Sequence, residues 1–160
     1  MQRIGPEDGG RADFPRLGTR YILRGEDTGG QFALIEHQIP PRALAAPTHA
    51  HQHEDEYSYV LSGRVGVEIG DEVAEAGPGE LVAKPRGIPH AFWNPGDEPA
   101  RLLELISPAG FERYFEELAP HLSGSGPPDV EALAAIQQRY GLTMDFASRE
   151  RLSQEHGLEE

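Results

Sequence analysis

Three of the seven histidines crowd into Thr48-His49-Ala50-His51-Gln52-His53-Glu54-Asp55-Glu56. In an extended segment side chains alternate between faces, so His49 and His51 project the same way, about 7 Å apart along the strand. Neutral imidazoles so placed can share a divalent first-row metal ion. Glu56 opens the next apolar run and can add a hard carboxylate oxygen. A further imidazole, His90, comes after Gly79-Glu80-Leu81-Val82-Ala83-Lys84-Pro85-Arg86-Gly87-Ile88-Pro89, where Pro85 and Gly87 shape a turn that delivers it to a strand. His49, His51, Glu56 and His90 around one divalent ion leave a single net positive charge. In octahedral geometry they also leave open positions that a substrate or dioxygen would need. His53 has the same strand parity, so His51 and His53 are an alternative pair, although that choice leaves only two residues before Glu56. His37, His121 and His156 have no partner pattern and read as surface or packing residues.

These residues need elements to hold them. From Thr19 to Ser107 short apolar runs alternate with turn signals, the pattern of an all-β barrel or sandwich with about nine strands. Ser62-Gly63 reads as a tight hairpin turn, and Gly70-Asp71 and Gly77-Pro78-Gly79 as further turns. Ser58 and Val60 share parity with Glu56, and Phe92 with His90. They face the interior, as a substrate pocket around the metal or as simple barrel filling. Tyr57, Tyr59 and Trp93 fall on the opposite face, with Phe111, Tyr114 and Phe115 available to cover them. Phe111, Tyr114, Phe115 and Leu118 recur at helical spacing, with Ser107 as an N-cap, Pro108 in the first turn and Pro120 as the stop. Residues 123–128, Ser-Gly-Ser-Gly-Pro-Pro, read as a flexible linker. A second helix follows on Val130, Leu133, Ile136 and Tyr140, with Gly141 as its C-cap. The expected organisation is a loose leader over 1–18, a β-barrel over 19–107 and a helical extension over 108–160.

Composition narrows the function. Lys and Arg total 14 against 27 Asp and Glu, a formal charge of −13 over 160 residues. That balance, with no basic run, argues against a nucleic-acid partner. No stretch approaches the roughly 20 apolar residues of a membrane span. The polar start lacks the apolar core of a signal peptide, so a cytoplasmic location is expected. With no cysteine, disulfides, thiolate metal sites and Cys nucleophiles are excluded. A Ser-His-Asp hydrolase is disfavoured because no Gly-x-Ser-x-Gly elbow is present.

The two motifs resemble those of the cupin superfamily. His49, His51, Glu56 and Gly63 match H-x-H-x4-E-x6-G; Gly79, Pro85, Gly87, His90 and Asn94 match G-x5-P-x-G-x2-H-x3-N. One departure is Ala43, where the family pattern usually has glycine, a turn position and not a ligand. The likeness implies an antiparallel jelly-roll or double-stranded β-helix barrel with a short helical C-terminal tail. It implies one divalent transition metal (Fe, Mn, Ni, Cu or Zn) and a small-molecule substrate. The single-domain arrangement is similar to the quercetin 2,3-dioxygenase-like group. That likeness implies an oxidoreductase, a metal-dependent dioxygenase acting on an enolic or phenolic, flavonol-like compound, with Glu56 as the catalytic residue that accepts the substrate's proton or binds the metal. Two alternatives stand beside it: a non-redox isomerase, cyclase or decarboxylase with the metal as Lewis acid, and a binding module without turnover. Aromatics on an outer strand face lead to the expectation of a homodimer, formed by sheet packing or by exchange of the strands over 19–39.

Overall fold

The computed structural model describes residues 3–14, 16–122 and 129–159. In chain order the strands are β1 (Arg11–Phe14), β2 (Leu17–Leu23), β3 (Ala33–Ile39), β4 (Leu44–His51), β5 (Asp55–Ser62), β6 (Val65–Ile69), β7 (Glu72–Ala76), β8 (Leu81–Lys84), β9 (His90–Trp93) and β10 (Ala100–Ser107). Helices α1 (Glu112–Leu122) and α2 (Val130–Arg139), strand β11 (Leu142–Met144) and helix α3 (Ser148–His156) follow. No helix among the described residues is long and apolar enough to cross a membrane.

The strands make two antiparallel sheets, ordered β1-β2-β3-β10-β5-β8 and β11-β4-β9-β6-β7. Period-two alternation decides which face each strand buries. On β10, Ala100, Leu102, Glu104 and Ile106 are buried while the residues between them are not. On β5 the buried set is Glu56, Ser58 and Val60. These faces join Ile35 and Ile39 of one sheet to Val65, Val67 and Phe92 of the other in one core. The result is consistent with a cupin β-barrel, although the two sheets remain separate hydrogen-bonded units.

Several local expectations change. Part of the expected leader is a strand: β1 pairs with β2 from Arg11↔Arg20 to Phe14↔Leu17, because Ala12 and Leu17 supply buried positions that outweigh the polar composition around them. Ser62-Gly63 is not a hairpin turn. β5 pairs with β10 and β8, whereas β6 pairs with β7 and β9, so the chain crosses there from one sheet to the other. Gly63 (φ 74°) is needed because a Cβ would lie 2.7 Å from the Cα of Ala100. Gly70-Asp71 does close a hairpin, between β6 and β7.

Ser107 ends β10 and donates to the Gln31 carbonyl, so it does not cap α1, which begins at Glu112. Pro120 lies inside α1, not at its end; in the last turn the ring disturbs few of the helix's hydrogen bonds. Asp129 caps α2 by accepting from the Glu131 and Ala132 amides, and Tyr140 is the C-cap, with left-handed Gly141 just beyond. The C-terminal extension is not purely helical, since β11 joins the five-stranded sheet beside β4. The 123–128 linker lies outside the described residues.

Candidate metal centre

His49 and His51 are carried by β4 and His90 by β9, with His49 and His90 in register across the pair. All three imidazoles therefore come from the five-stranded sheet. Glu56, on β5, comes from the other sheet. One ligand atom from each of His49, His51, Glu56 and His90 lies within 4.8 Å of the others, and all four residues are buried. The expected quartet is thus brought together. His53 is exposed and outside the cluster, with Gly141 packed against its ring.

Hydrogen bonding fixes which nitrogen faces inward. His49 Nδ1 lies 2.8 Å from the Pro47 carbonyl and His90 Nδ1 lies 3.0 Å from that of Ile88. A carbonyl only accepts, so each Nδ1 is the protonated donor, and in the neutral ring the Nε2 lone pair is free to bind a cation. His51 Nε2 and His90 Nε2 face Glu56 at 3.3 and 3.4 Å. Both nitrogens are buried without a hydrogen-bond partner among the described residues. Electron-rich nitrogens converging on a buried carboxylate fit a divalent cation between them.

Burial holds His51 down to about 4 and His49 well below the usual histidine range, the neighbouring rings of His90 and His51 adding to the effect at His49. Both are neutral, as a ligand must be. Burial alone would raise Glu56, but the Lys84 ammonium holds its carboxyl well below the usual range.

The supporting residues are placed by the same motifs. Left-handed Gly87 donates its amide to the His51 carbonyl at 2.7 Å, docking the turn before His90 onto the end of β4. Asn94 is fully buried and is a brace, not a ligand: its amide donates to the carbonyls of Ile39, Pro40 and Glu98 and accepts from Gly96.

A cavity opens beside the cluster, lined in part by His49, His51, Glu56 and Phe92, with Phe111, Tyr114 and Phe115 from the C-terminal extension. Of the three residues expected to face a pocket, Phe92 lines this cavity. Val60 is fully buried in the core and Ser58 donates to Glu104 at 2.7 Å; neither lines this cavity. The aromatic cover also differs from expectation. Phe111 stands edge-on to His51, centroids 4.2 Å apart, and Phe115 to His37 at 5.3 Å. They close over the site and leave Tyr57 and Tyr59 exposed. Trp93 is covered instead by α3, through His156 stacked at 4.0 Å.

Three polar residues of this cavity escaped the sequence reading. Lys84 is buried with Nζ 2.9 Å from Glu56 Oε2 and 3.0 Å from Glu104 Oε2. Glu104 lies at a core parity position between Leu102 and Ile106, a signal that alternation contained. His37 is buried, with Nδ1 3.0 Å from the Thr19 hydroxyl.

This fold and its buried three-histidine, one-glutamate cluster resemble those of cupin proteins. Residues 35–106, which include all four clustered residues, match the family model of the cupin domain, supporting placement in the cupin superfamily. The solved structure of KdgF from Halomonas sp. shares the fold at a TM-score of 0.61, with 17% identity, over 70% of this chain and 97% of that one. The polyketide cyclase RemF from Streptomyces resistomycificus is similar at 29% identity and a TM-score of 0.57, over 67% of this chain and 79% of that one. The polyketide synthase protein CurC of Streptomyces cyaneus is 29% identical over 96 residues, 58% of this chain. That match spans 60% of the length of CurC.

Proposed function

We propose that this protein is a metal-dependent cupin that promotes a non-redox cyclisation of a small enolic or phenolic, polyketide-like compound. The observation that carries the reading is the 29% identity to the polyketide cyclase RemF over two thirds of the chain, around a site whose four clustered residues are buried together. When bound, a divalent cation would act as a Lewis acid on a carbonyl or enolate oxygen. His49, His51 and His90 would hold it through neutral imidazoles and Glu56 through its carboxylate. A carboxylate held as low as that of Glu56 is a weak base, which favours the ligand role over the proton-accepting one. The aromatic face of Phe111, Tyr114 and Phe115 excludes water and offers apolar surface to a ring. The quercetin-dioxygenase-like activity rests on the motif resemblance alone.

The test is to load the purified protein separately with zinc, manganese, iron, nickel and copper and supply a linear poly-β-ketone. The expected result is a cyclised, dehydrated product with no oxygen consumed. Oxygen uptake with carbon–carbon cleavage, on this substrate or on a flavonol, would replace this reading by the dioxygenase. Absence of any turnover would leave a binding module.

A further inference from the structure

The cavity contains a second polar cluster beside the four candidate ligands. Lys84 on β8 is in register with Glu56, and Glu104 on β10 is in register with Ser58. Two groups converge on one oxygen of Glu104: Lys84 Nζ donates to Oε2 at 3.0 Å and the Ser58 hydroxyl donates to Oε2 at 2.7 Å. The ammonium is itself held over the Phe92 ring, 4.7 Å from its centroid. The carboxylate is therefore fixed through Oε2. Its other oxygen, Oε1, is buried and has no hydrogen-bond partner among the described residues. An ionised oxygen in that state bears a desolvation penalty that only a donor can offset. Glu104 lines the same cavity as His49, His51 and Glu56.

Resting on the reading above that the site takes an enolic or phenolic compound, we infer that Glu104 Oε1 accepts a hydrogen bond from a hydroxyl of that ligand. Glu104 is then a specificity-determining residue, and Lys84 and Ser58 are the groups that position it. A site built to bind a hydroxyl in this way rejects an analogue that lacks the donor, because the carboxylate oxygen is again left unpaired. Lys84 Nζ, placed between Glu56 Oε2 and Glu104 Oε2 at 2.9 and 3.0 Å, keeps Oε2 occupied.

Phenol and anisole test this directly, since the two have similar shape and only phenol donates. Ligand-observed NMR titrations of each into the full chain are run at pH 8.5, above the value of about 7 to which burial pushes Glu104. They are made on protein as purified and again after EDTA treatment. Phenol is expected to bind at least ~10-fold more tightly than anisole in both preparations, the range of a hydrogen bond to a charged group. In Glu104→Gln the amide oxygen must face Lys84, which can only donate, so the amide NH2 takes the place of Oε1. The acceptor becomes a donor, and the preference for phenol is expected to fall to about one. Ser58→Ala keeps the charge and removes one anchor of Oε2; it is expected to lower the preference several-fold and serves if the glutamine variant does not fold. Equal binding of phenol and anisole by the wild type would overturn the inference. So would a preference that vanishes with EDTA, which assigns the hydroxyl to the cation, or one that survives in Glu104→Gln. A retained, Glu104-dependent preference without cyclisation would sink the proposed function alone. Cyclisation without the preference would sink only the role given to Glu104.

Discussion

At the scale of single residues, the two halves of the cluster make different demands. His49, His51 and His90 have their inward nitrogens ready to accept a cation, whereas His53 stands outside on an exposed turn. His49→Ala, His51→Ala and His90→Ala should each reduce bound metal at least ~10-fold, and His53→Ala should leave it unchanged. Elemental analysis after dialysis against a weak chelator measures this, and loss of metal in His53→Ala with retention in His49→Ala would reverse the assignment. Glu56→Gln keeps the shape but removes the anionic ligand, so metal retention, and turnover with it, are expected to fall at least ~10-fold. A second residue-scale effect concerns His37, which burial, then the charge of Lys84, holds down at about 4. The unfolded chain takes up a proton near the ordinary histidine value and the folded chain does not, so this group contributes stability that is lost as pH falls from about 6.5 towards 4. The full loss is about 3 kcal/mol. Glu104, raised to about 7, works in the opposite direction over much of that range. The difference between wild type and His37→Gln isolates the histidine. Urea midpoints that fall less steeply between pH 7 and pH 5 in the variant are expected, and parallel curves would refute the account.

At the scale of elements, the site is closed by a segment that is not part of either sheet. Phe111, one residue before α1, places its ring against His51, and Tyr114 and Phe115 extend the same aromatic face over the cavity. That face is amphipathic in the sequence, but its destination depends on where the connection from β10 sets the helix down. Phe111→Ala removes a ring that is only 3% exposed and should cost about 3–5 kcal/mol if the gap does not collapse. It should also let a chelator reach the cluster, so that EDTA strips metal several-fold faster at a temperature where both proteins remain folded. An unchanged stripping rate would mean that the aromatic cover does not control access. The far side is different in kind: Gly66 lies under Trp93, and a Cβ there would come within 2.2 Å of the indole nitrogen, so the five-stranded sheet is glycine-dependent where α3 packs on it.

For the whole molecule, the outer surface of the six-stranded sheet is the feature left open. Tyr57 and Tyr59 on β5 are 36% and 42% exposed, and Leu81, in register with Tyr59 on the edge strand β8, is 59% exposed. An apolar group beside an unpaired strand edge favours association. A homodimer through this face is expected by light scattering at micromolar concentration, with Tyr59→Glu/Leu81→Glu monomeric; a monomeric wild type would remove the expectation. How much of this was legible beforehand follows from the range of the interactions. Motif spacing and strand parity place His49, His51, Glu56 and His90 on inward faces, because alternation is a local property of the backbone. Local pattern does not say which strands pair. It therefore makes Ser62-Gly63 a hairpin when that turn crosses between sheets, leaves β1 in a leader, and gives no hint that β11 returns to β4. Nor does it show that Lys84 meets both Glu56 and Glu104, or that Phe111 covers His51 and not the outer tyrosines. Those contacts join residues far apart in the chain. They are decided by sheet order and by the burial of charge, which exist only once the two sheets face each other.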